Sequence, residues 1–237
     1  MNPHERDGLR LLAFASLEGT GVVCALSTVP LDVRRDEDRR RLVRGLDLDP
    51  DRTVAPRQVH HAAVVRVDGP LPEAPLADGL VTDVPGLPLL LRAADCSLVV
   101  VHDPEHRAVG VAHAGWKGSA RGIVVNLVRA LEEQYGTRPE ACIAAIGPTI
   151  SQARYPVGPE VPAAFLRSRP WAGEYVDHRG GRLYFDLAGA NARFLRERGV
   201  RSVEREERCT FDHPELFHSF RRDGTGGGHH GMVAAIA

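Results

Sequence analysis

Cysteine is scarce in this chain. Cys24, Cys96, Cys142 and Cys209 lie far apart with no Cys-x-x-Cys pair. That excludes a disulfide scaffold for 237 residues and fits a reducing cytoplasm. Long hydrophobic runs are missing too. No stretch approaches eighteen consecutive apolar residues, so no membrane span is expected. The start, MNPHERDGLRLLAFASLEG, has no basic segment leading into a long apolar run and does not read as a signal peptide. Excess charge of either sign is absent: 30 Lys plus Arg stand against 31 Asp plus Glu. Binding to nucleic acid by phosphate neutralisation is thereby excluded. Lysine is rare beside arginine, a codon-bias signature more than a physical one. There is no repeat, low-complexity tract or flexible linker, so residues 1–237 are expected to form a single domain.

What is present is a set of short apolar runs. Leu87–Arg92, Leu98–His102, Ala108–Ala112 and Ala141–Ile146 are Val- or Leu-rich, or end at a Gly-Pro turn, and read as buried strands. Helices interleave. Ser119 is positioned to cap a helix carrying Ile123, Leu127 and Leu131, and Asp186 to cap another that stops at Gly199. The charge-dense stretch from Arg34 to Arg44 reads as a solvated helix face. Strands and helices mix without strict alternation, which predicts a mixed α+β, or mixed-sheet α/β, architecture.

Asp103-Pro104-Glu105-His106 is a strong turn sequence between two of the strands. With those four residues as the loop, position 96 faces 113. Cys96 and His113 would then sit directly opposite on one face, about 4.5–5.5 Å apart at Cβ. At that distance a thiolate and an imidazole share a metal or act as a nucleophile–base pair. A lone strand cysteine is usually core packing. The preceding Asp95 raises the functional reading, because a carboxylate at the end of an apolar strand needs a partner or the surface. The Gly115-Trp116-Lys117-Gly118 turn leaves the second strand toward a helix, with Lys117 as a cation beside it. His229 and His230, in the glycine-rich stretch 224–231, read as a mobile loop. Cys24, Cys142 and Cys209 read as structural.

Taken in order, Gln58-Val59-His60, Asp78-Gly-Leu-Val-Thr82, Ala94-Asp95-Cys96, His113-Ala-Gly-Trp-Lys-Gly118, Ile146-Gly-Pro148, Tyr155-Pro-Val-Gly158, Cys209-Thr210 and Ser219-Phe-Arg-Arg-Asp-Gly224 form a recognisable set. The chain resembles the multicopper polyphenol oxidase (laccase)-domain family. Its members are also described as purine nucleoside phosphorylases, and some bacterial ones as peptidoglycan editing factors. The resemblance implies metal ligands at His60, Cys96 and His113, zinc with copper claimed for some members, a mixed α/β sandwich, a cytoplasmic location and a monomer. It also implies phosphorolysis of adenosine, inosine, guanosine and methylthioadenosine, and deamination of adenosine. The chain departs from the family at three places. Ala25–Asp32 replaces an Arg-Gly-Gly loop, Thr149 stands where a cysteine is common, and Thr225-Gly226-Gly227 replaces Thr-Gly-Arg. Two arginines suited to phosphate are therefore missing or displaced.

Two histidines and one cysteine leave the fourth position of a tetrahedral zinc open, as catalytic sites do. Hydroxide generated there suits attack on C6 of adenosine. Phosphorolysis needs instead a phosphate held against C1′, for which Arg57, Arg92, Lys117 and Arg221 are the candidate cations. Asp95 is the candidate orienter or base. Competing readings are a metal-free Cys96–His113 hydrolase or transferase acting on a cell-wall precursor, and a degenerate nucleoside-binding protein. Copper-dependent polyphenol oxidation ranks low. A multicopper oxidase needs about ten histidine ligands, whereas this chain has 11 histidines in all and no His-x-His motif.

Overall fold

The computed structural model describes residues 1–6 and 8–237. One sheet is wholly antiparallel. It contains β1 (Asn2–Arg6), β2 (Leu9–Ala13), β3 (Val22–Ser27), β14 (His230–Ile236) and β6 (Leu89–Ala93), in that order. A second, mixed sheet runs β13 (Ser202–Arg205), β9 (Ile143–Ile146), β7 (Ser97–Asp103), β8 (Ala108–Ala114), β5 (Gly79–Thr82) and β4 (Val64–Arg66). Its outermost pairs on both edges are parallel and its inner pairs antiparallel. A small third sheet joins β10 (Pro156–Val157), β12 (Arg182–Phe185) and β11 (Val176–Arg179).

The two large sheets face each other. Leu89, Leu91, Met232 and Ala234 from one meet Leu98, Val100, Val109 and Val111 from the other in one buried cluster. The alternate residues Val99, Val101, Ala108 and Ala112 point away. They pack in one cluster with α3 (Ile123–Tyr135), α4 (Glu160–Leu166) and α5 (Leu187–Glu197) through Leu127, Leu131, Phe165, Phe194 and Leu195. β7 and β8 are therefore covered on both faces, which is why their sequences are continuous apolar runs and do not alternate. Gly110 lets α3 come close: a Cβ there would lie 2.8 Å from the Leu127 side chain. The outer face of the first sheet is covered by α1 (Asp36–Arg44) through Leu42 and Val43. The remaining residues of that helix, charged, form its solvent face. The result is the expected mixed α/β sandwich. No helix among the described residues is long and apolar enough to cross a membrane.

Three local expectations are corrected. Leu98, not Cys96, is the strand partner of His113. The loop is 104–107, because the Asp103 side chain itself holds the turn. It accepts the N–H groups of Glu105 (2.9 Å) and His106 (3.2 Å), and Arg107 takes the left-handed conformation that closes it. The register is thus shifted by two, an even number, so Cys96 and His113 keep a common face. Ser119 lies inside a short helix, α2 (Trp116–Ala120), and does not cap α3. Gly122, at φ 89°, is the N-cap residue, since the chain must reorient there and only glycine does so without strain. Finally, His230 opens β14 and is fully buried, so the glycine-rich tail ends in a core strand. Asp186 caps α5 as expected, accepting from Gly189 N–H at 2.8 Å.

Candidate metal centre

The centre of the site is a carboxylate that the sequence reading left without a role. Asp78 precedes β5 and is fully buried. One oxygen accepts from His113 Nδ1 (2.9 Å) and His60 N–H (3.0 Å); the other accepts from His61 N–H (2.7 Å) and Val59 N–H (3.1 Å). Burial raises the pKa of its carboxyl, but the bonds from His113, His61 and Val59 outweigh that and hold it below the usual range. Asp78 therefore shapes the loop 59–61 and fixes the His113 ring together. With Nδ1 donating to Asp78, Nε2 of His113 is the nitrogen left free as a ligand. A lone carboxylate just before the apolar strand Gly79–Thr82 was the available signal.

His60, Cys96 and His113 converge, with one donor atom from each lying within 4.8 Å of the others. The rings of His60 and His113 meet edge to face at 4.8 Å between centroids. Gly115, just past β8, makes room: a Cβ there would sit 2.8 Å from Cys96 Sγ and 3.1 Å from His60 Nδ1. His60 (φ 57°) and Asp95 (φ 81°) both take the left-handed conformation, which ordinary residues rarely hold without support. The three candidate ligands come from separate elements: a loop, the link between β6 and β7, and the end of β8.

The donor chemistry fits a metal. Two imidazoles and a thiolate suit zinc or copper, and one histidine is oriented by a carboxylate, as metal-bound histidines usually are. Burial, the His113 charge and Lys117 lower the pKa of His60, keeping it in the neutral, ligating form. For His113 burial also favours the neutral form, but the Cys96 thiolate and the Asp78 bond outweigh it and push its pKa up to about 9. A second group, Asp103, Glu105 and His106, is accounted for by the turn it builds and by the Glu105–Arg138 pair.

The trio opens onto a cleft of about 510 Å³. Arg92, Lys117 and Arg221 line it, as do Trp116, Tyr155, Phe220 and His229. Arg57 does not line the cleft; its backbone bridges to the loop at Pro75 and Leu76. Asp95 borders the cleft but its oxygens accept from Thr210 Oγ1 (2.5 Å) and Arg221 N–H (2.7 Å). It fixes the start of α6 (Phe220–Asp223), which carries Phe220 and Arg221 to the rim. Gln58 clasps the backbone of Arg92 through both ends of its amide, at 2.8 and 3.0 Å. Arg221 lies over the Tyr155 ring and Lys117 over Trp116. His229 escaped the sequence reading because the glycines around it looked flexible.

A two-histidine, one-cysteine cluster at the edge of a mixed α/β sandwich, beside a cation-lined cleft, defines a candidate metal centre with room for a small anionic or polar ligand. The chain belongs to the family described as multi-copper polyphenol oxidoreductase laccase, whose model matches residues 30–236. A relative from Deinococcus radiodurans named purine nucleoside phosphorylase is 38% identical over 79% of this chain and 71% of that protein. The Escherichia coli purine nucleoside phosphorylase YfiH is 30% identical over 81% of this chain and 77% of its own. Among solved structures, YlmD from Geobacillus stearothermophilus superposes with a TM-score of 0.88 at 28% identity, covering 98% of this chain and 97% of that one.

Proposed function

We propose that this chain is a one-domain, metal-dependent purine nucleoside phosphorylase that takes adenosine, inosine, guanosine and methylthioadenosine, and that also deaminates adenosine. The carrying observation is the cleft: beside His60, Cys96 and His113 its cationic lining, Arg92, Lys117 and Arg221, faces only one carboxylate, and Asp95 is already committed. That charge suits an inorganic anion together with a departing purine anion. Phe220, 55% exposed at the rim, and Tyr155 offer flat apolar surfaces for a base. In phosphorolysis a phosphate oxygen bonds to C1′ while the C1′–N9 bond breaks. The electron pair leaves on the purine, which then takes a proton from water or a nearby group. His60, Cys96 and His113 would hold zinc, or copper. Bound there, the ion supplies Lewis acidity for activating water or polarising a substrate oxygen. Asp78 orients His113, Asp95 positions Arg221, and Arg92, Lys117 and Arg221 hold phosphate and ribose. Arg57 is too far outside the cleft lining to share that role directly. The working form is a cytoplasmic monomer.

Incubation of metal-loaded protein with adenosine or inosine, with and without phosphate, tests the reading. Phosphate-dependent release of adenine or hypoxanthine is expected, with phosphate-independent inosine from adenosine. Absence of all three products at every metal load would overturn it. A second reading is supported by the closeness of Cys96 and His113, whose donor atoms lie within 4.8 Å: a cysteine nucleophile with a histidine base acting without metal in a hydrolase or transferase. Iodoacetamide discriminates, since zinc protects Cys96 from alkylation only if the thiolate is a ligand.

A further inference from the structure

His229 sits just ahead of β14, whose pairing with β6 places His230 opposite Ala93 and Gly231 opposite Arg92. It therefore lies beside Arg92, and both line the cleft. Its backbone is held at both ends: its N–H donates to Asp32 Oδ1 (3.0 Å), and its carbonyl accepts from Val33 N–H (3.0 Å). The same Asp32 carboxylate, buried at 8% exposure, also grips Arg34. Nε donates to both oxygens at 3.0 Å and Nη2 to Oδ2 at 2.7 Å. One buried carboxylate thus sets the spacing of His229 and Arg34, while Arg92 approaches from the neighbouring strand. The Arg92 guanidinium has no hydrogen-bond or ion-pair partner among the described residues. His229 Nδ1 is buried without one.

The electrostatics agree with that geometry. Burial first, then the charges of Arg92 and Arg34, push the pKa of His229 down to about 4, so the ring is neutral at working pH. A neutral imidazole keeps one acceptor nitrogen. A guanidinium beside an acceptor matches an oxyanion that carries a single proton: the guanidinium takes a charged oxygen and the imidazole takes its O–H.

We propose that His229 and Arg92 form the phosphate-holding end of the cleft, selecting monoprotonated inorganic phosphate. The inference rests on the phosphorolytic reading. Sulfate has the shape and charge of hydrogen phosphate but no proton, so this end discriminates against it.

The test uses full-length, metal-loaded protein. Phosphorolysis of inosine is followed against phosphate, with sulfate as competitor, and phosphate binding is followed separately by 31P line broadening. His229→Ala and Arg92→Gln are each expected to raise the KM for phosphate about tenfold, the worth of one charge-assisted hydrogen bond. The KM for inosine and the metal content stay within about twofold of wild type. His229→Arg is expected to bind both anions and bring their affinities to within about threefold, replacing an acceptor by a donor. If that variant keeps the wild-type discrimination, or if His229→Ala and Arg92→Gln raise the KM for inosine as much as for phosphate, the proposal is overturned. Tighter binding of adenosine 5′-monophosphate than of inorganic phosphate overturns the assignment to the free ion. Phosphate broadening lost in His229→Ala, in a wild-type protein that turns over no nucleoside, supports this anion site while sinking phosphorolysis.

Discussion

Replacing Asp78 by asparagine tests the centre of the site most directly. The carboxylate is fully buried and accepts four N–H groups, three from the backbone of residues 59–61 and one from His113 Nδ1. Asparagine preserves the shape but turns one acceptor oxygen into a donor. If the amide oxygen faces His113 and His60, its NH2 confronts the amides of His61 and Val59. The reverse flip leaves His113 Nδ1 opposite a donor. Either way at least two buried donors lose their acceptor. At about 1–3 kcal/mol each, the apo protein loses about 2–6 kcal/mol. For a domain of this size that lowers Tm by roughly 4–24 °C. Metal affinity is expected to fall about 10- to 100-fold, the usual cost of removing the partner that orients a histidine ligand. Competition with a chromophoric chelator measures the second effect, and calorimetry of metal-free protein the first. The acid limb adds a sign. Because the folded pKa of Asp78 is lowered, its contribution is present above the ordinary carboxylate range and disappears as pH falls through the folded value. Wild-type protein therefore loses stability on acidification more steeply than Asp78→Asn. If Asp78→Asn binds metal within twofold of wild type and melts at the same temperature, the carboxylate does not organise the site.

Further outcomes follow from the same geometry. Gly115→Ala would place a methyl 2.8 Å from Cys96 Sγ and 3.1 Å from His60 Nδ1. Metal content measured by atomic absorption is expected to drop sharply while circular dichroism stays unchanged, because φ here is an ordinary −71°. Phe220→Ala is expected to raise the KM for inosine about tenfold, since stacking of a base on an aromatic ring contributes about 1–3 kcal/mol, with the KM for phosphate unchanged in steady-state assays. His113, held protonated up to about 9 without metal, must release its proton to ligate. Zinc titration by calorimetry at pH 8 in buffers of different ionisation enthalpy is expected to report proton release on binding; none released would show that His113 is already neutral in the apo protein.

Much of the scaffold was legible because burial on both faces writes itself into sequence as unbroken apolar runs. β7, β8 and β9 were visible for that reason, as was α5 from its Asp186 cap. The meeting of Cys96 with His113 was legible through strand parity, and it survived an error of two in register. That error arose because Asp103 acts through its side chain as part of the turn, which residue preferences alone do not reveal. His60 was accessible only through the resemblance: nothing in Gln58-Val59-His60 betrays a loop bent by a distant carboxylate. Asp78 and His229 were passed over for opposite reasons. A solitary aspartate before a strand looks like a boundary residue until its four donors are seen. The glycines near His229 looked like slack, yet Gly231 is small because Val33 and Leu42 press on it; a Cβ there would lie 2.8 Å from Val33. The three-stranded β10–β12–β11 sheet, with strands of two to four residues, left no periodicity to read.

The Ala94-Asp95-Cys96 link has a mechanical meaning. It leaves β6 in one sheet and enters β7 in the other within three residues, and Cys96 lies on that crossing while His113 closes β8. An ion held between them would act as a rivet through both layers of the sandwich. Loading the centre would then stiffen the very seam along which the two sheets could otherwise slide, so that the demand for a precise catalytic pocket and the cohesion of the fold are met by a single bond set.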